Sequence, residues 1–378
     1  MDYRHEFADF EGVAYFNVAN QGPLPLAAVR AAQRAIEWKK LPHQMPENLY
    51  FDLPDGIRAK TAQLIGGEPD EIAITSGASG GFYAVAAGME FQPGDEVVVA
   101  RGEFPAHFST WLPYEWAGRL RLRTIAPRGR FVSAEDYIEN IGPQTRLVSA
   151  SLVRFDDASL LDAARVAEAC HAKGAALFLD ITQCAGARPM RIRELGADFA
   201  ACAGYKWLLS PYGTGFFWVA REWIPRLKLG PLYWQALEGA RNFQTLPLDA
   251  PRMAPGARRW DAAETGNFIN LAAMDASLDL LLKAGVEAIA RHNAALVSEI
   301  VERLPRDRCL LASPAEPERR GPYVCISARK SDQTPRMLEK LREANIYVSL
   351  RENALRISPH LYNTADDVAR LIKVLSVS

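Results

Sequence analysis

Between residues 71 and 219, short apolar runs alternate with stretches of helical periodicity. The runs are rich in β-branched residues and read EIAITSG, EVVVA, LRLRTIA, RLVSASL, AALFLD and GTGFFWVA. A helical pattern that starts at Gly80 follows the first of them. Strands of this length that alternate with helices are typical of βα units. The pattern therefore predicts a mostly parallel sheet flanked by helices.

The pattern changes after this region. The segment TLPLDAPRMAPG at 245–256 is rich in proline and has neither helical nor strand periodicity, so it marks a long connection. The elements predicted beyond it are helices at 270–284 and 287–304, a strand YVCISA, a helix near 335–344, short strands IYVSL and ALRIS, and a closing helix from Thr364. This mixture predicts a smaller α+β domain. We expect a large domain at 21–259 and a small domain formed by 1–20 and 260–378.

The composition is that of a globular protein, since 49% of the 378 residues are hydrophobic and 24% are charged. This length suits two domains that share one active site. A formal charge of −1 and the lack of a Lys/Arg block argue against a nucleic-acid partner. No stretch reaches the roughly 18 apolar residues of a membrane span, and the opening MDYRHEFADFEG is acidic. We expect a cytoplasmic protein with a small-molecule substrate and no membrane contact.

The cysteines are five in number, scattered, and never in CxxC spacing. Neither a disulfide framework nor a zinc site is indicated. Reduced, buried thiols are expected.

Polar residues that follow the predicted strands are candidates for a site, because ligands of open α/β sheets bind at the carboxyl ends of the strands. The first group is TSGASGG at 75–81, which opens a helix. Its backbone N–H groups and the Ser79 hydroxyl would form a cup for a phosphate. Alternatively, Ser79 simply caps the helix. The motif GxxxxGK[ST] is not present, so a nucleotide P-loop is not supported.

Three further residues lie at such positions. Asp180 ends the strand FLD, where its carboxylate suits a protonated ring nitrogen or a turn cap. Lys206 is flanked by apolar and aromatic residues, so desolvation would lower its pKa and favour imine formation, unless it extends to solvent. Arg356 lies in an apolar strand, where a guanidinium suits bidentate binding of a carboxylate or a structural ion pair.

Together, the segments TSGAS, EFPA, DITQ, GYKW and LRIS agree in order and spacing with one family. The chain resembles the class V aminotransferase family of fold type I enzymes, a group that also contains cysteine desulfurases, kynureninase and isopenicillin N epimerase-like proteins. The resemblance implies an α/β fold of the pyridoxal 5'-phosphate (PLP)-dependent transferase type I, with a mostly parallel sheet in the large domain and a smaller α+β domain. It also implies PLP as cofactor, an amino acid as substrate and a homodimer.

The resemblance assigns roles to particular residues. Lys206 resembles the Schiff-base lysine, Asp180 the partner of the ring nitrogen, and Arg356 the clamp for the substrate carboxylate. The remaining cofactor contacts that it implies are Gly77, Ala78 and Ser79 at the phosphate, Tyr205 also at the phosphate, Gln183 at the ring oxygen, Phe104 stacked on the ring, and Thr265 reaching the phosphate of a partner subunit.

The motifs leave the reaction open. Transamination is the default, and elimination, a kynureninase-like C–C cleavage or racemisation would use the same residues. A PLP-binding protein without turnover is less expected, because Lys206, Asp180 and Arg356 are all present. A dehydrogenase is not supported, since SGASGG stands where GxGxxG would be needed. A desulfurase is not expected either, because Ser349–Asn353 is short and has no cysteine.

Overall fold

A computed structural model describes residues 3–230, 232–245 and 249–377. The helices are α1 Leu26–Lys40, α2 Leu49–Ile65, α3 Ala78–Gly88, α4 Ala106–Ser109, α5 Leu112–Trp116, α6 Ala134–Ile138, α7 Ala163–Ala172, α8 Phe268–Ala284, α9 Val286–Glu302, α10 Thr334–Glu343 and α11 Ala365–Val377. The strands are β1 Ala14–Tyr15, β2 Ile72–Thr75, β3 Glu96–Ala100, β4 Arg121–Ile125, β5 Thr145–Ser151, β6 Ala176–Asp180, β7 Phe199–Ala203, β8 Gly215–Val219, β9 Cys309–Leu311, β10 Val324–Ala328, β11 Ile346–Tyr347, β12 Ser349–Arg351 and β13 Ala354–Ile357.

The larger sheet has seven strands in the order β2-β8-β7-β6-β5-β3-β4. Strand β8 is antiparallel to both neighbours, and the other pairings are parallel, which confirms the predicted mostly parallel sheet. Its central strands are mostly buried because both faces of the sheet are covered. In β3, Val98 enters the core on one side of the sheet, whereas Val97 and Val99 enter the core on the other.

A second, antiparallel sheet has the order β12-β13-β10-β9, and β1 pairs with β11 beside it. These strands share a separate core with α9, α10 and α11, to which Phe16, Leu341 and Leu371 contribute. This is the smaller α+β unit that the pattern predicts. Helix α8 lies beyond residue 260 but packs against α1 and α2 and places Met274 in the core of the larger sheet. The bounds of the two domains stay a prediction.

The described residues contain no helix that is both long enough and apolar enough to span a bilayer.

Candidate active site

The Lys206 loop joins β7 to β8 across residues 204–214. Gly204 N–H donates to the Thr214 carbonyl at 2.8 Å, and Leu209 N–H donates to the Lys206 carbonyl at 3.0 Å. Gly22, in the loop before α1, donates its N–H to the Tyr205 carbonyl at 2.8 Å. A Cβ on Gly22 would lie 2.2 Å from the Lys206 carbonyl oxygen, so this close approach requires glycine. The backbone of Lys206 is therefore fixed from two sides.

The side chain of Lys206 is buried, with 8% of its surface exposed. Its Nζ lies 5.3 Å from the ring centroid of Phe104 and 5.5 Å from that of Tyr205. Burial lowers the pKa of Lys206 to about 8, with the charge of Arg356 acting in the same direction and that of Asp180 opposing it. A substantial fraction of this amine is therefore neutral near pH 8, as a nucleophile requires.

Asp180 is the last residue of β6, and its carboxylate is buried. Its Oδ1 accepts a hydrogen bond from Thr182 N–H at 2.8 Å, and its Oδ2 lies 3.9 Å from Nε2 of His107. The Thr182 hydroxyl oxygen in turn accepts from Ala203 N–H at 3.1 Å. The turn after β6 is thus bonded to β7, which fixes the carboxylate beside the lysine loop.

A polar network behind Asp180 was not predicted from the sequence. His107 contacts the hydroxyls of Ser149, at 2.8 Å from Nδ1, and of Ser151, at 3.3 Å from Nε2. Ser151 also donates to Glu103 from its hydroxyl and from its N–H, at 2.6 and 3.0 Å. Burial alone would raise the pKa of Glu103, but the charges of His107 and Arg154 bring it below its ordinary value. The sequence feature that could have indicated this network is the spacing of Ser149 and Ser151, which places both on one face of a mostly apolar strand.

Arg356 lies on β13 with 1% of its surface exposed. Its Nη1 donates to the Phe155 carbonyl at 2.9 Å, while its buried Nε has no hydrogen-bond partner. Burial lowers its pKa from the ordinary value. The ring of Phe155 packs edge-on against that of Phe104 at 5.5 Å, which connects Arg356 to the surroundings of Lys206. A buried guanidinium with an unused donor suits an anionic ligand.

The start of α3 provides a possible phosphate cup. Gly77 is the N-cap, with φ of +155°, and it has no side chain that could accept from the following N–H groups. Ser79 lies inside the helix and does not cap it. A Cβ on Gly215 would lie 2.7 Å from Cα of Gly77, so the end of the lysine loop packs against this cup. An 11-residue helix whose N-terminus is not capped by its N-cap side chain fits the phosphate of PLP.

The other predicted contacts lie nearby, with one exception. Gln183 accepts from Trp207 Nε1 at 3.0 Å and donates to the Ala19 carbonyl at 3.2 Å, which leaves one amide N–H. Tyr205 packs on Tyr212 with ring centroids 4.6 Å apart. Thr265 lies in a separate loop, where its hydroxyl donates to the Ala262 carbonyl. Its contact with a partner subunit stays a prediction.

Four features are typical of α/β enzymes that use PLP: a seven-stranded sheet, a buried lysine, an aspartate at the end of a strand and a helix start lined with glycine. More specifically, the chain belongs to the family described as aminotransferase class-V, whose model matches residues 25–371. Membership of this family makes PLP the cofactor.

Curated relatives of this chain carry several names. It is 29% identical over 317 residues to the uncharacterized aminotransferase YcbU of Bacillus subtilis (strain 168), covering 83% of this chain and 81% of that protein. It is 26% identical to the isopenicillin N epimerase of Streptomyces clavuligerus, with 96% and 94% of the two chains covered. It is also 26% identical to a kynureninase of Myxococcus xanthus (strain DK1622), covering 97% and 90%.

Solved structures agree with the fold. A mutant of C-DES with glycine covalently linked to the PLP cofactor superposes with a TM-score of 0.89 at 20% identity, covering 100% of this chain and 99% of that one. A cysteine desulfurase from Thermococcus onnurineus NA1 gives a TM-score of 0.84 at 19% identity, covering 99% and 96%. At these identities the likeness establishes the architecture and not the reaction.

Proposed function

We propose that this enzyme transaminates an amino acid, with PLP held on Lys206. The observation that carries the proposal is the desolvated Lys206 amine, whose Nζ lies 5.3 Å from the ring centroid of Phe104 and whose pKa responds to the charges of Asp180 and Arg356. The relatives named aminotransferase support this choice of reaction.

The positions of the side chains support the following cofactor contacts. Asp180 would pair with the ring nitrogen, and the ring of Phe104, which is 37% exposed, would stack on the ring of the cofactor. Gly77, Ala78 and Ser79, with Tyr205 at the side, would hold the phosphate. Gln183 has one amide N–H left for the ring oxygen. When bound, PLP supplies a carbonyl that condenses with amines and a ring that withdraws electrons from the substrate Cα.

This chain's residues then have distinct tasks. Arg356 binds the substrate carboxylate through its free Nε and orients the Cα–H bond. Lys206, as a neutral amine, would accept the Cα proton and later donate it back. Asp180 would hold a proton at the ring nitrogen of bound PLP.

We also propose a homodimer in which Thr265 reaches the partner's phosphate cup. Two large aromatic side chains beside the cup are solvent-exposed in one subunit, Tyr83 on α3 at 61% and Tyr212 in the lysine loop at 72%. A subunit interface would cover them. Sedimentation should give twice the chain mass, and mixing Lys206→Ala with Thr265→Ala subunits should restore activity. A fully active monomer would refute this arrangement.

The test of function uses the purified holoenzyme and a panel of amino acids. We expect the cofactor absorbance to convert to that of the pyridoxamine form, with one equivalent of 2-oxo acid released. The matched control is Lys206→Ala, which should bind PLP but not convert it. In the wild type, borohydride reduction and peptide mapping should place the pyridoxyl group on the Lys206 peptide. Release of ammonia without conversion would show elimination and overturn transamination.

A further inference from the structure

The β12–β13 hairpin has one apolar face and one polar face. Ser349 is directly opposite Arg356, and Arg351 is directly opposite Ala354. Residues opposite each other in an antiparallel pair share a face, and faces alternate along each strand. Arg351, Ser349 and Arg356 therefore project from one face, while the other face packs into the small core through Leu355.

Several hydrogen-bonding groups on the polar face lack a hydrogen-bond partner or an oppositely charged partner among the described residues. The buried Ser349 Oγ and Arg356 Nε have no hydrogen-bond partner. Among the residues that the structure describes, Arg351 donates to two neutral oxygens, the Leu350 carbonyl at 2.8 Å and Asn20 Oδ1 at 2.7 Å. By contrast, the buried guanidinium of Arg154 is paired with Asp156 at 2.9 Å. Within the described part of the chain, neither Arg351 nor Arg356 forms an ion pair with a carboxylate, and two such guanidinium groups on one face favour an anionic ligand.

The position of Arg351 places this face at the active site. Asn20, its partner, belongs to the loop in which Gly22 packs against the Lys206 carbonyl. After burial and the charges of Asp180, Arg356 and Cys202, the charge of Arg351 also acts on Lys206, where it lowers the pKa. The two arginines are diagonal neighbours, roughly 7 Å apart at their β-carbons. One short substrate with two carboxylates can therefore contact both.

We propose that Arg351 binds a second acidic group of the substrate, so that the enzyme prefers dicarboxylic amino acids. Arg356 takes the α-carboxylate, and Arg351 takes the side-chain carboxylate. This inference rests on the proposed function, since it names the substrate class of the same site.

The test compares acidic amino acids with their neutral isosteres, aspartate with asparagine and glutamate with glutamine. In wild-type holoenzyme, the acidic member of each pair should have the lower KM. Replacing Arg351→Gln should raise KM for the acidic members about tenfold to hundredfold, the equivalent of one charge-assisted hydrogen bond, and leave the neutral members nearly unchanged. Arg351→Lys should recover part of the loss. The matched control is Arg336→Gln, which removes the charge of an exposed arginine on α10 and should leave KM unchanged for all four amino acids.

Two results would overturn the inference. One is a wild-type preference for the neutral isosteres, and the other is an equal loss for both members in Arg351→Gln, which would make Arg351 a ligand of the α-carboxylate. If no amino acid converts the cofactor, the proposed transamination fails separately. In that case the role of Arg351 is tested by binding of two unreactive acids, the dicarboxylate succinate and the monocarboxylate butyrate, measured through the cofactor absorbance. A wild-type preference for succinate that Arg351→Gln abolishes supports the role. Equal binding of the two acids refutes it.

Discussion

Nε2 of His107 lies 3.9 Å from Oδ2 of Asp180, and both side chains are buried. The hydroxyl of Ser151 donates to Glu103, so its oxygen is free to accept from Nε2 of His107. Ser149 contacts the other ring nitrogen at 2.8 Å. These two hydroxyls hold the imidazole so that its Nε2 lies 3.9 Å from the Glu103 carboxylate as well as from that of Asp180. His107 is therefore a positioning residue beside Asp180.

The first prediction follows from this contact. Replacing His107→Leu should lower kcat about tenfold, because Asp180 loses a nearby donor, and should leave KM largely unchanged. His107→Gln, which places an amide N–H near the position of Nε2, should recover part of kcat. The pH titration of the bound cofactor's absorbance should shift in the Leu variant and not in the Gln variant. Equal kcat in wild type and His107→Leu would contradict the role.

The second prediction concerns pH. The pKa of Lys206 is about 8, against an ordinary 10.5, and burial is the largest cause. The neutral amine attacks the carbonyl of PLP, so the rate of holoenzyme formation from apoenzyme should rise with pH and level off above about 8. The rate is half-maximal at the pKa of Lys206, and this pH is the midpoint of the profile. The positive charge of Arg356 lowers that pKa, so Arg356→Met should move the midpoint to higher pH.

Arg351→Met should shift the midpoint in the same direction by less, because its charge acts on Lys206 more weakly. The measurement is stopped-flow absorbance between pH 6 and 11. A rate that keeps rising up to pH 10.5, the ordinary value for lysine, would show that the amine is not desolvated.

Several site residues could be predicted because they are local. Asp180 ends the buried strand β6 and Lys206 lies three residues after the end of β7, so the apolar runs indicate their positions at the sheet edge. The network behind Asp180 depends on long-range register. Ser149 on β5 is paired with Val99 on β3, 50 residues earlier in the chain, and that pairing brings His107 to it. No periodicity within either strand determines this register.

The N-terminal loop illustrates the same limit. Tyr15 pairs with Tyr347, and Gly22 contacts Lys206, across separations that sequence patterns do not encode. The start of α3 was also predicted two residues late, at Gly80, because the glycines of TSGASGG indicate a loop. In the structure Gly81 lies inside the helix and close to the sheet, since a Cβ there would lie 2.7 Å from the Phe217 ring and 2.8 Å from Cβ of Ala201.

The third prediction tests the Gly22 contact. A Cβ in Gly22→Ala would lie 2.2 Å from the Lys206 carbonyl oxygen and 3.1 Å from Leu209, so the lysine loop must move. We expect a loss of stability of about 1 to 3 kcal/mol and lower PLP occupancy. Gly129→Ala is the matched control, since no atom lies within 4 Å of its Cβ position. Thermal unfolding and cofactor absorbance measure both effects, and an unchanged Gly22→Ala holoenzyme would show that the contact is not required.

The cysteines of this chain bear on whether it forms a protein persulfide. All five are buried, and burial raises the pKa of Cys325 to about 12. Cys325 is paired with Arg356 across the β10–β13 ladder and is fixed in a central strand. The segment between β12 and β13 consists of Glu352 and Asn353 alone. A nucleophilic thiol must be ionised and accessible, and neither condition is met.

The fourth prediction is therefore that cysteine leaves no persulfide on this protein. Holoenzyme incubated with cysteine should keep its unmodified intact mass, because no thiol can approach the sulfur of a substrate held by Arg356 and Lys206. Cys184 and Cys202 lie near Asp180, yet burial raises the pKa of both thiols and neither is on a mobile loop. Sulfide released without a protein adduct would place any sulfur chemistry on the cofactor alone. A stoichiometric persulfide that disappears when one cysteine is replaced by serine would contradict the prediction and identify the nucleophile.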